Sequence, residues 1–200
     1  MLKIERNVTL SGLKTMAAIA ACSLALSAAV PPGWMLAGSR PADYDSAVDS
    51  QTVYNGRPSA YLRYVSANEP KSGGFGTLMQ TFSAKAYSSQ RMRFSAYVRT
   101  DSVQDYAGLW MRVDKAVMGS LPTILAFDNM QDRPIKGTTG WRSYEVVLDV
   151  PEGSTSISLG ILMGGKGTVW LNSVNVEIVS QSVPLTGRNV DGPVNLSFDK

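Results

Sequence analysis

Histidine is absent from the 200 residues, and cysteine occurs once, as Cys22. Ser–His–Asp and Cys–His nucleophile systems both need a histidine, so the sequence excludes them, together with every histidine-ligated metal site. Cys22 lies in a segment that we predict to be removed, so the mature protein has no disulfide and no thiolate nucleophile or ligand. We therefore expect its roughly 170 residues to be held together by a hydrophobic core alone.

Long uncharged runs are also scarce, and the one at residues 15–30 is too short for a membrane span, which needs about 20 apolar residues. Its setting is typical of an export signal, with a basic start, an uncharged middle and small residues just before Val30. The residues concerned are Lys3, Arg6 and Lys14 at the start, and Ser27 and Ala29 before the cleavage point. We predict a signal peptide at residues 1–29 and a periplasmic or secreted protein without a stable membrane span.

Two alternatives remain open for this N-terminal segment. Without cleavage, it would act as a membrane anchor at the start of the chain. It would also fit lipoprotein processing, because Ile19, Ala20 and Ala21 precede Cys22 in the manner of a lipobox. In that case the mature protein would be tethered to a membrane by a lipid on Cys22.

The formal net charge is small, at +3. Residues 1–29 contain three basic residues and one acidic residue, a net +2, so the mature chain carries about +1. Binding to nucleic acid relies on clustered basic surface, which so small a charge does not indicate. We predict no nucleic-acid partner, and the sequence leaves the oligomeric state open.

The mature region shows the two-residue alternation of half-buried strands. In 92–99, for example, apolar residues from Met92 to Val98 alternate with polar ones from Arg93 to Arg99. Further predicted strands cover 59–65, 75–83, 107–114, 122–127, 144–150, 157–163 and 168–179, the last with an irregularity near Asn172 and Ser173. Turn residues separate them, which favours an all-β sandwich or barrel at 30–179, followed by a looser extension at 180–200.

Several motifs resemble those of galactose-binding-like jelly-roll modules, the group that includes many carbohydrate-binding modules. Near the start these are Gly33-Trp34, Tyr44 and "GRPSAYL" at 56–62. Near the end, "SYEVVLDVPEGSTSISLGILM" at 143–163 and "GKGTVWLNSVNVEIV" at 165–179 resemble the closing strands. The resemblance implies a two-sheet antiparallel β-sandwich of jelly-roll type that binds a ligand.

The chain also resembles a poorly characterised set of bacterial proteins, some of which are named as transcriptional regulators. They share the motifs "GFGTLMQ", "AGLWMRVD", "FDNMQDRPI.GT..W" and "VVLDVP". Here these stand at 74–80, 107–114, 127–141 and 146–151. No DNA-binding segment is recognisable in this sequence, so the regulator name does not by itself imply a function for it.

Two departures from the jelly-roll pattern concern the ends of the domain and its metal. Modules of this group begin with a strand before the Gly-Trp pair, and "NLSFDK" at 195–200 resembles that strand. Residues 194–199 would then fill its place in the sandwich, as in a circular permutation, or else form a frayed tail.

Asn172 stands where the group often has aspartate, which weakens a structural calcium site, since calcium prefers carboxylate-rich oxygen ligands. We predict no cofactor, with structural calcium as the alternative.

Candidate ligand-binding residues lie on the predicted strand 107–114. Its aliphatic face belongs in the core, which leaves Trp110, Arg112 and Asp114 on the outer face. An aromatic ring packs on the apolar side of a sugar ring, arginine donates paired hydrogen bonds, and aspartate accepts them from vicinal hydroxyls. The trio therefore predicts recognition of a polyol, with a partly exposed salt bridge beneath a tryptophan as the alternative.

Neighbouring strands offer further polar and aromatic groups. Strand 92–99 carries Arg93 and Tyr97 on its polar face, and Gln80 of strand 75–83 is expected nearby. If these strands share a sheet with 107–114, their side chains add cationic and aromatic groups to the same groove. The alternative is an ordinary solvated face with no ligand.

The stretch "AFDNMQDRPIKGTTGW" at 126–141 is too polar for a buried strand and is predicted to be the end of a strand followed by a loop at 131–140. On this interpretation Asp128, Asn129 and Arg133 line one end of the groove. The alternative is a structural corner, in which Asp128 accepts backbone N–H bonds and pairs with Arg133.

These observations favour an exported, non-catalytic module that binds a carbohydrate or another polar small molecule. The alternatives are a structural or protein-interaction role in the cell envelope, and the sensor-type domain of the proteins named as regulators. A glycosidase is the least favoured hypothesis. It would need two carboxylates about 5–10 Å apart across a cleft, and the candidates are Asp114, Asp128 and Asp132.

Overall fold

A computed structural model describes residues 30–186, which fold as an antiparallel β-sandwich with two single 3-10 turns at Pro41–Asp43 and Lys85–Tyr87. The all-β prediction is therefore confirmed. The strands are β1 (Met35–Gly38), β2 (Tyr44–Tyr54), β3 (Arg57–Tyr64), β4 (Phe75–Ser83), β5 (Gln90–Lys115), β6 (Thr123–Asp128), β7 (Ile135–Val150), β8 (Ser156–Gly164) and β9 (Thr168–Val179). The predicted signal peptide with Cys22, and the proposed strand at 194–199, lie outside the described residues.

The strands form two layers that share β5. The first layer has the order β1-β4-β8-β5-β6, and the second has the order β7-β5-β9-β3-β2. The N-terminal part of β5 pairs with β9 from Arg91 to Asp101, and its C-terminal part pairs with β8 from Tyr106 to Asp114. The sheet thus curls over on itself, and a single 26-residue strand passes from one layer into the other.

The continuity of β5 corrects the prediction of two separate strands at 92–99 and 107–114. Between these stretches the chain makes no reversing turn. It instead slips three times in register against β7, and Ser102 adopts a left-handed backbone at φ 54°. Such irregularities bend and twist a strand without ending it, which is how one strand serves both layers.

The core lies between the layers and is built by the alternation that the sequence shows. Met92 and Phe94 face inward from the second layer, Leu109 and Met111 face inward from the first, and none of the four has any exposed surface. Burying a side chain of this size contributes roughly 1.5–3 kcal/mol each. The apolar faces of both halves of β5 therefore meet in one core, and their polar faces point away from it.

Three elements differ from the sequence prediction. Strands β1 and β2 were not predicted. The apolar residues of β2 do not alternate regularly along its sequence, and its pairing with β3 shifts in register between Asp49 and Val53. The expected loop at 131–140 ends at Pro134, and β7 begins at Ile135. Ile135 is buried opposite Ala107 and extends the β5–β7 ladder, so backbone pairing overrides the local turn propensity of its glycines.

Residues 30–186 contain no helix of the length and hydrophobicity that crossing a membrane requires.

The irregularity predicted near Asn172 and Ser173 is confirmed, since Ser173 has φ 49° and the pairing of β9 with β5 shifts there. After β9 the chain returns along the edge of the second layer, where Thr186 exchanges hydrogen bonds with the backbone of Val147.

Candidate functional site

A groove of about 380 Å³ lies on the outer face of the first layer, opposite to the core. This volume is at the lower end of the range of small-molecule sites, about 300–1,000 Å³. Strands β1, β4, β8 and β5 form its floor, and the end of β6 with the residue after it forms one wall. It is lined by Gly38, Phe75, Thr77, Met79, Tyr106, Trp110, Arg112, Phe127, Asn129 and Leu162.

Trp110 lies on the floor of the groove with 7% of its surface exposed. Its indole Nε1 donates a hydrogen bond to Thr77 Oγ1 over 2.8 Å, and Thr77 Oγ1 donates in turn to the carbonyl of Ile161 over 2.9 Å. Thr77 belongs to β4 and Trp110 to β5, with β8 between them, so the indole reaches across the middle strand. The backbone of Trp110 is fixed in β5 and its Nε1 atom is held by Thr77, so the indole forms a rigid aromatic floor of the groove.

Gly160 of β8 is the residue that pairs with Trp110 in the sheet. A Cβ atom added at this position would overlap the carbonyl oxygen of Leu78 and come within 2.9 Å of the Met79 Cα atom. Strands β4 and β8 approach so closely here that only glycine is accommodated without a backbone shift. The absence of a side chain also leaves the space above β8 open to the indole.

Arg112 lines the groove, and its guanidinium Nε donates to Asp114 Oδ2 over 2.9 Å. The Arg112 side chain is 39% exposed, whereas the Asp114 side chain is 4% exposed. Asp114 therefore lies behind Arg112 and does not line the groove. Its second oxygen, Oδ1, is buried and has no hydrogen-bond partner among the described residues. Of the predicted trio, Trp110 and Arg112 therefore line the groove, and Asp114 holds Arg112 in place.

Asn129 and Tyr106 form the polar end of the groove. The Asn129 side-chain amide donates to the Tyr106 hydroxyl over 3.4 Å, and Asn129 Oδ1 accepts the backbone N–H of Gln131 over 3.2 Å. Burial raises the pKa of Tyr106 to about 12, so its hydroxyl stays protonated at physiological pH. Of the loop residues proposed from sequence, Asn129 is the one that reaches the groove.

Asp128 and Arg133 form a corner beside the groove, in which Asp128 is buried and Arg133 is half-buried. Asp128 accepts the backbone N–H of Met130 over 2.8 Å, the Arg133 guanidinium over 2.5 Å and the hydroxyl of Thr186 over 2.6 Å. Burial acts to raise the pKa of Asp128, but the bonds from Arg133, Thr186 and Met130 outweigh it and hold the pKa below its usual range. These contacts are the ones expected if this stretch forms a structural corner. Neither Asp128 nor Arg133 lines the groove.

Three other residues proposed from sequence lie away from the groove. Gln80 pairs with Leu159, a core residue, so its side chain points to the opposite face of β4 from Thr77 and Met79. Arg93 and Tyr97 lie on the outer face of the second layer. Arg93 pairs there with Glu177 at 2.9 Å and Glu145 at 3.4 Å.

Tyr97 belongs to an aromatic cluster on that same outer face. Its ring stacks on Tyr54 with 4.3 Å between centroids, and Tyr54 also contacts Trp141 at 5.3 Å. The cluster covers the junction of the β2–β3 hairpin with β5 and β7. Since Arg93 and Tyr97 are on the far side of the sandwich, they cannot contact a ligand in the groove.

Sequence reasoning missed the apolar walls of the groove, which are Phe75, Met79, Phe127 and Leu162. It also missed Tyr106, although the signal was present. Tyr106 stands four residues before Trp110, an even spacing that puts both side chains on one face of a strand. Phe75, Thr77 and Met79 share the face of β4 opposite to buried Leu78 in the same way.

The three carboxylates considered for glycoside hydrolysis are each engaged by an arginine. Asp114 is paired with Arg112 behind the groove, Asp128 is paired with Arg133 in the corner, and Asp132 contacts Arg133 at 2.9 Å. Within residues 30–186, no cluster of three or more Asp, Glu, His or Cys residues is placed to hold a metal ion. The groove chemistry thus consists of an aromatic floor, apolar walls and a few polar groups.

Comparison with known proteins supports the fold and identifies one informative relative. No protein-family model matches the chain. The uncharacterized HTH-type transcriptional regulator YbfP of Bacillus subtilis (strain 168) is 44% identical over an alignment of 173 residues that covers 84% of this chain. The chain spans 57% of the length of that protein.

Solved structures with the same fold include carbohydrate-binding modules. The CBM22-1 xylan-binding domain of Paenibacillus barcinonensis Xyn10C is 13% identical with a TM-score of 0.53, over 77% of this chain and 90% of that one. A family 30 carbohydrate-binding module is 13% identical with a TM-score of 0.51, over 72% of this chain and 91% of that one. The resemblance to jelly-roll modules of this type is therefore confirmed at the level of the fold.

Proposed function

We propose that this protein is a non-catalytic module that binds a carbohydrate or a related polar ligand in the groove of the first layer. The observation that carries the proposal is the indole of Trp110, held across β8 by its hydrogen bond to Thr77. A fixed aromatic surface packs on the apolar side of a sugar ring without losing side-chain entropy on binding. Arg112, Tyr106 and Asn129 then supply the polar contacts that orient the ligand.

The fold supports this proposal, because its structural neighbours include a domain named for binding xylan. Fold alone does not determine function, so the residues that line the groove matter more than the fold. Asp114 contributes as a positioning residue, since it holds the guanidinium of Arg112 from behind.

The experiment is a ligand screen on the purified protein by thermal shift and calorimetry, using neutral and acidic sugars and polyols with and without Ca²⁺. A ligand that binds should raise the melting temperature of the protein. Its affinity should be lower for Trp110→Phe, which keeps an aromatic ring but loses the hydrogen bond to Thr77. Tyr97→Ala, on the opposite face, is the matched control and should bind normally. A folded protein that responds to no member of the panel would refute the binding function.

We further propose that residues 1–29 direct export and are cleaved before Val30. The mass of the mature protein and cell fractionation test this, since cleavage at the predicted site gives one defined mass. A lipid-modified Cys22 or an uncleaved chain in the membrane fraction would support the two alternatives instead.

A second candidate function is the sensing module of a regulator, and the 44% identity to a protein named as a transcriptional regulator favours it. Both candidates use the same groove, so binding alone does not separate them. Cell fractionation separates the two candidates, because a sensing module of a DNA-binding protein would be retained in the cytoplasm. Recovery of the protein from the cytoplasm, with its N-terminus intact, would favour the sensing role over the exported one.

A further inference from the structure

We propose that the groove selects a saccharide that carries a carboxylate, such as a uronic acid, over its neutral counterpart. This inference rests on the proposed binding function and names the class of its ligand. It is carried by the hydrogen-bonding capacity of the groove. After the contacts within the protein are assigned, the polar groups that remain are chiefly donors.

The charge of the groove lining favours an anionic ligand. Arg112 is the single charged residue among those that line the groove in the described part of the chain, and no aspartate or glutamate lines it. Asp114 neutralises part of this charge but is buried behind the guanidinium. A ligand therefore meets the cationic side of the ion pair, not the anionic side.

The hydrogen-bonding geometry of Arg112 also suits a carboxylate. Asp114 Oδ2 engages Nε, and no other hydrogen bond to Arg112 is formed by the described residues. The two terminal nitrogens, Nη1 and Nη2, are left with their donors free. Such a fork matches the two oxygens of a carboxylate, and Arg–carboxylate pairs of this kind are stronger than hydrogen bonds between neutral groups.

The other polar lining groups agree with this preference. Asn129 uses its carbonyl oxygen for the Gln131 N–H and one amide hydrogen for Tyr106, which leaves the second amide hydrogen free. Tyr106 receives that bond on its oxygen, so its own proton is available for a ligand. Thr77 accepts from Trp110 and donates to Ile161, so its single proton is already used.

A neutral sugar presents hydroxyls that both donate and accept, and its donors find few acceptors among these groups. A carboxylate only accepts, so every one of its bonds has a partner of the right kind. The apolar walls, including Phe127 directly beside Arg112 in the β5–β6 ladder, lower the local polarity and strengthen the ion pair. An unpartnered hydroxyl donor against those walls would instead weaken binding.

The test compares oligogalacturonate with the same oligomer after methyl esterification, which removes the charge and keeps the sugar ring. Isothermal calorimetry on the purified protein should show affinity for the acid that is roughly ten- to hundredfold higher than for the ester. The difference should shrink as NaCl rises, because screening weakens the ion pair. Glucuronate oligomers and neutral xylo-oligosaccharides extend the comparison to other sugar frameworks.

Variants connect the preference to Arg112. Arg112→Gln should lower the affinity for the acid far more than the affinity for the ester, so that the preference disappears, and Arg112→Lys should keep part of the preference. Arg99→Gln is the matched control, because Arg99 lies over Trp170 on the far layer and is exposed. Circular dichroism confirms that each variant is folded before its affinity is interpreted.

The outcomes separate this inference from the proposed function. If acid and ester bind equally, or if Arg112→Gln keeps the preference, the inference is wrong while the binding function stands. If neutral oligosaccharides bind best, the inference is likewise overturned. If a folded protein binds neither class, the proposed function itself fails.

Discussion

The indole nitrogen of Trp110 donates to the hydroxyl of Thr77 across an intervening strand, over 2.8 Å. This contact joins β5 to β4 above β8 and fixes the orientation of the largest aromatic side chain in the groove. Because both groups are buried, the bond cannot be replaced by water without opening the sheet face. The same contact therefore contributes to stability and prepares the surface that a ligand would meet.

Thr77→Val should destabilise the protein by about 1–3 kcal/mol, because it leaves the buried N–H of Trp110 without an acceptor. The side chains are nearly equal in volume, so packing changes little. Chemical denaturation measures the difference. Thr123→Val, at an exposed position of β6, is the control and should stay within about 0.5 kcal/mol of the parent. Equal stability of the two variants would mean that the Trp110–Thr77 bond does not contribute.

Gly160→Ala should destabilise the fold strongly, by about 1–3 kcal/mol or more, since the added methyl group overlaps the backbone of β4. Gly140→Ala makes the same chemical change at a site where a Cβ atom meets nothing within 4 Å. It should be neutral or slightly stabilising. Thermal melts of the two variants test this contrast, and a Gly160→Ala protein as stable as Gly140→Ala would contradict the close approach of β4 and β8.

Acid should destabilise the protein through Asp128. Its pKa is lower in the folded state than the unfolded value of about 3.9, so the carboxylate contributes stability above that pH. The contribution is lost as the pH falls below about 4 toward the folded pKa. Asp128→Asn should cost about 3 kcal/mol at neutral pH, because it leaves Arg133 without its buried partner, and should flatten the acid limb of the stability curve.

Asp132→Asn provides the comparison for this pH experiment. Asp132 also contacts Arg133, but its side chain is 47% exposed, so its removal should change stability by no more than about 1 kcal/mol. Urea denaturation between pH 3 and pH 7, chosen to bracket the carboxyl range, compares the three proteins. An Asp128→Asn protein with the acid sensitivity of the parent would show that other carboxylates dominate.

Tyr97→Ala should lower stability without affecting a ligand in the groove. The stacked Tyr54–Tyr97 pair contributes about 0.5–1.5 kcal/mol beyond its buried area, and its loss exposes the adjoining hairpin. Calorimetric titration of Tyr97→Ala with a groove ligand should return the parent affinity. Weakened binding in a fully folded variant would place a ligand contact on the second layer.

Sequence reasoning reached the fold because its signals are local. The alternation of Met92 to Val98 with polar residues identifies a half-buried strand without any tertiary information. The same parity correctly placed Leu109 in the core and Trp110 on the outer face, where the groove lies. Strand β2 escaped detection since its apolar residues do not alternate, and pairing with β3 is what keeps it extended.

The composition of the candidate site was decided by the tertiary structure. Tyr97 and Trp110 lie on the polar faces of two predicted strands, 92–99 and 107–114, so the sequence suggests a shared groove if these strands share a sheet. Strand β5, however, belongs to both layers, and each layer turns its apolar side toward the same core. The two polar faces must therefore point in opposite directions, which separates Arg93 and Tyr97 from Trp110 and Arg112.

The sequence by itself determined which side chains avoid the core, because burial of apolar surface depends on a periodicity that is written along each strand. Only the tertiary structure decided which of the exposed side chains meet. Contacts such as Trp110 with Thr77, or Asp128 with Thr186, join residues 33 and 58 positions apart. They depend on strand order and on the curl of the sheet, and both are properties of the assembled sandwich that no single strand encodes.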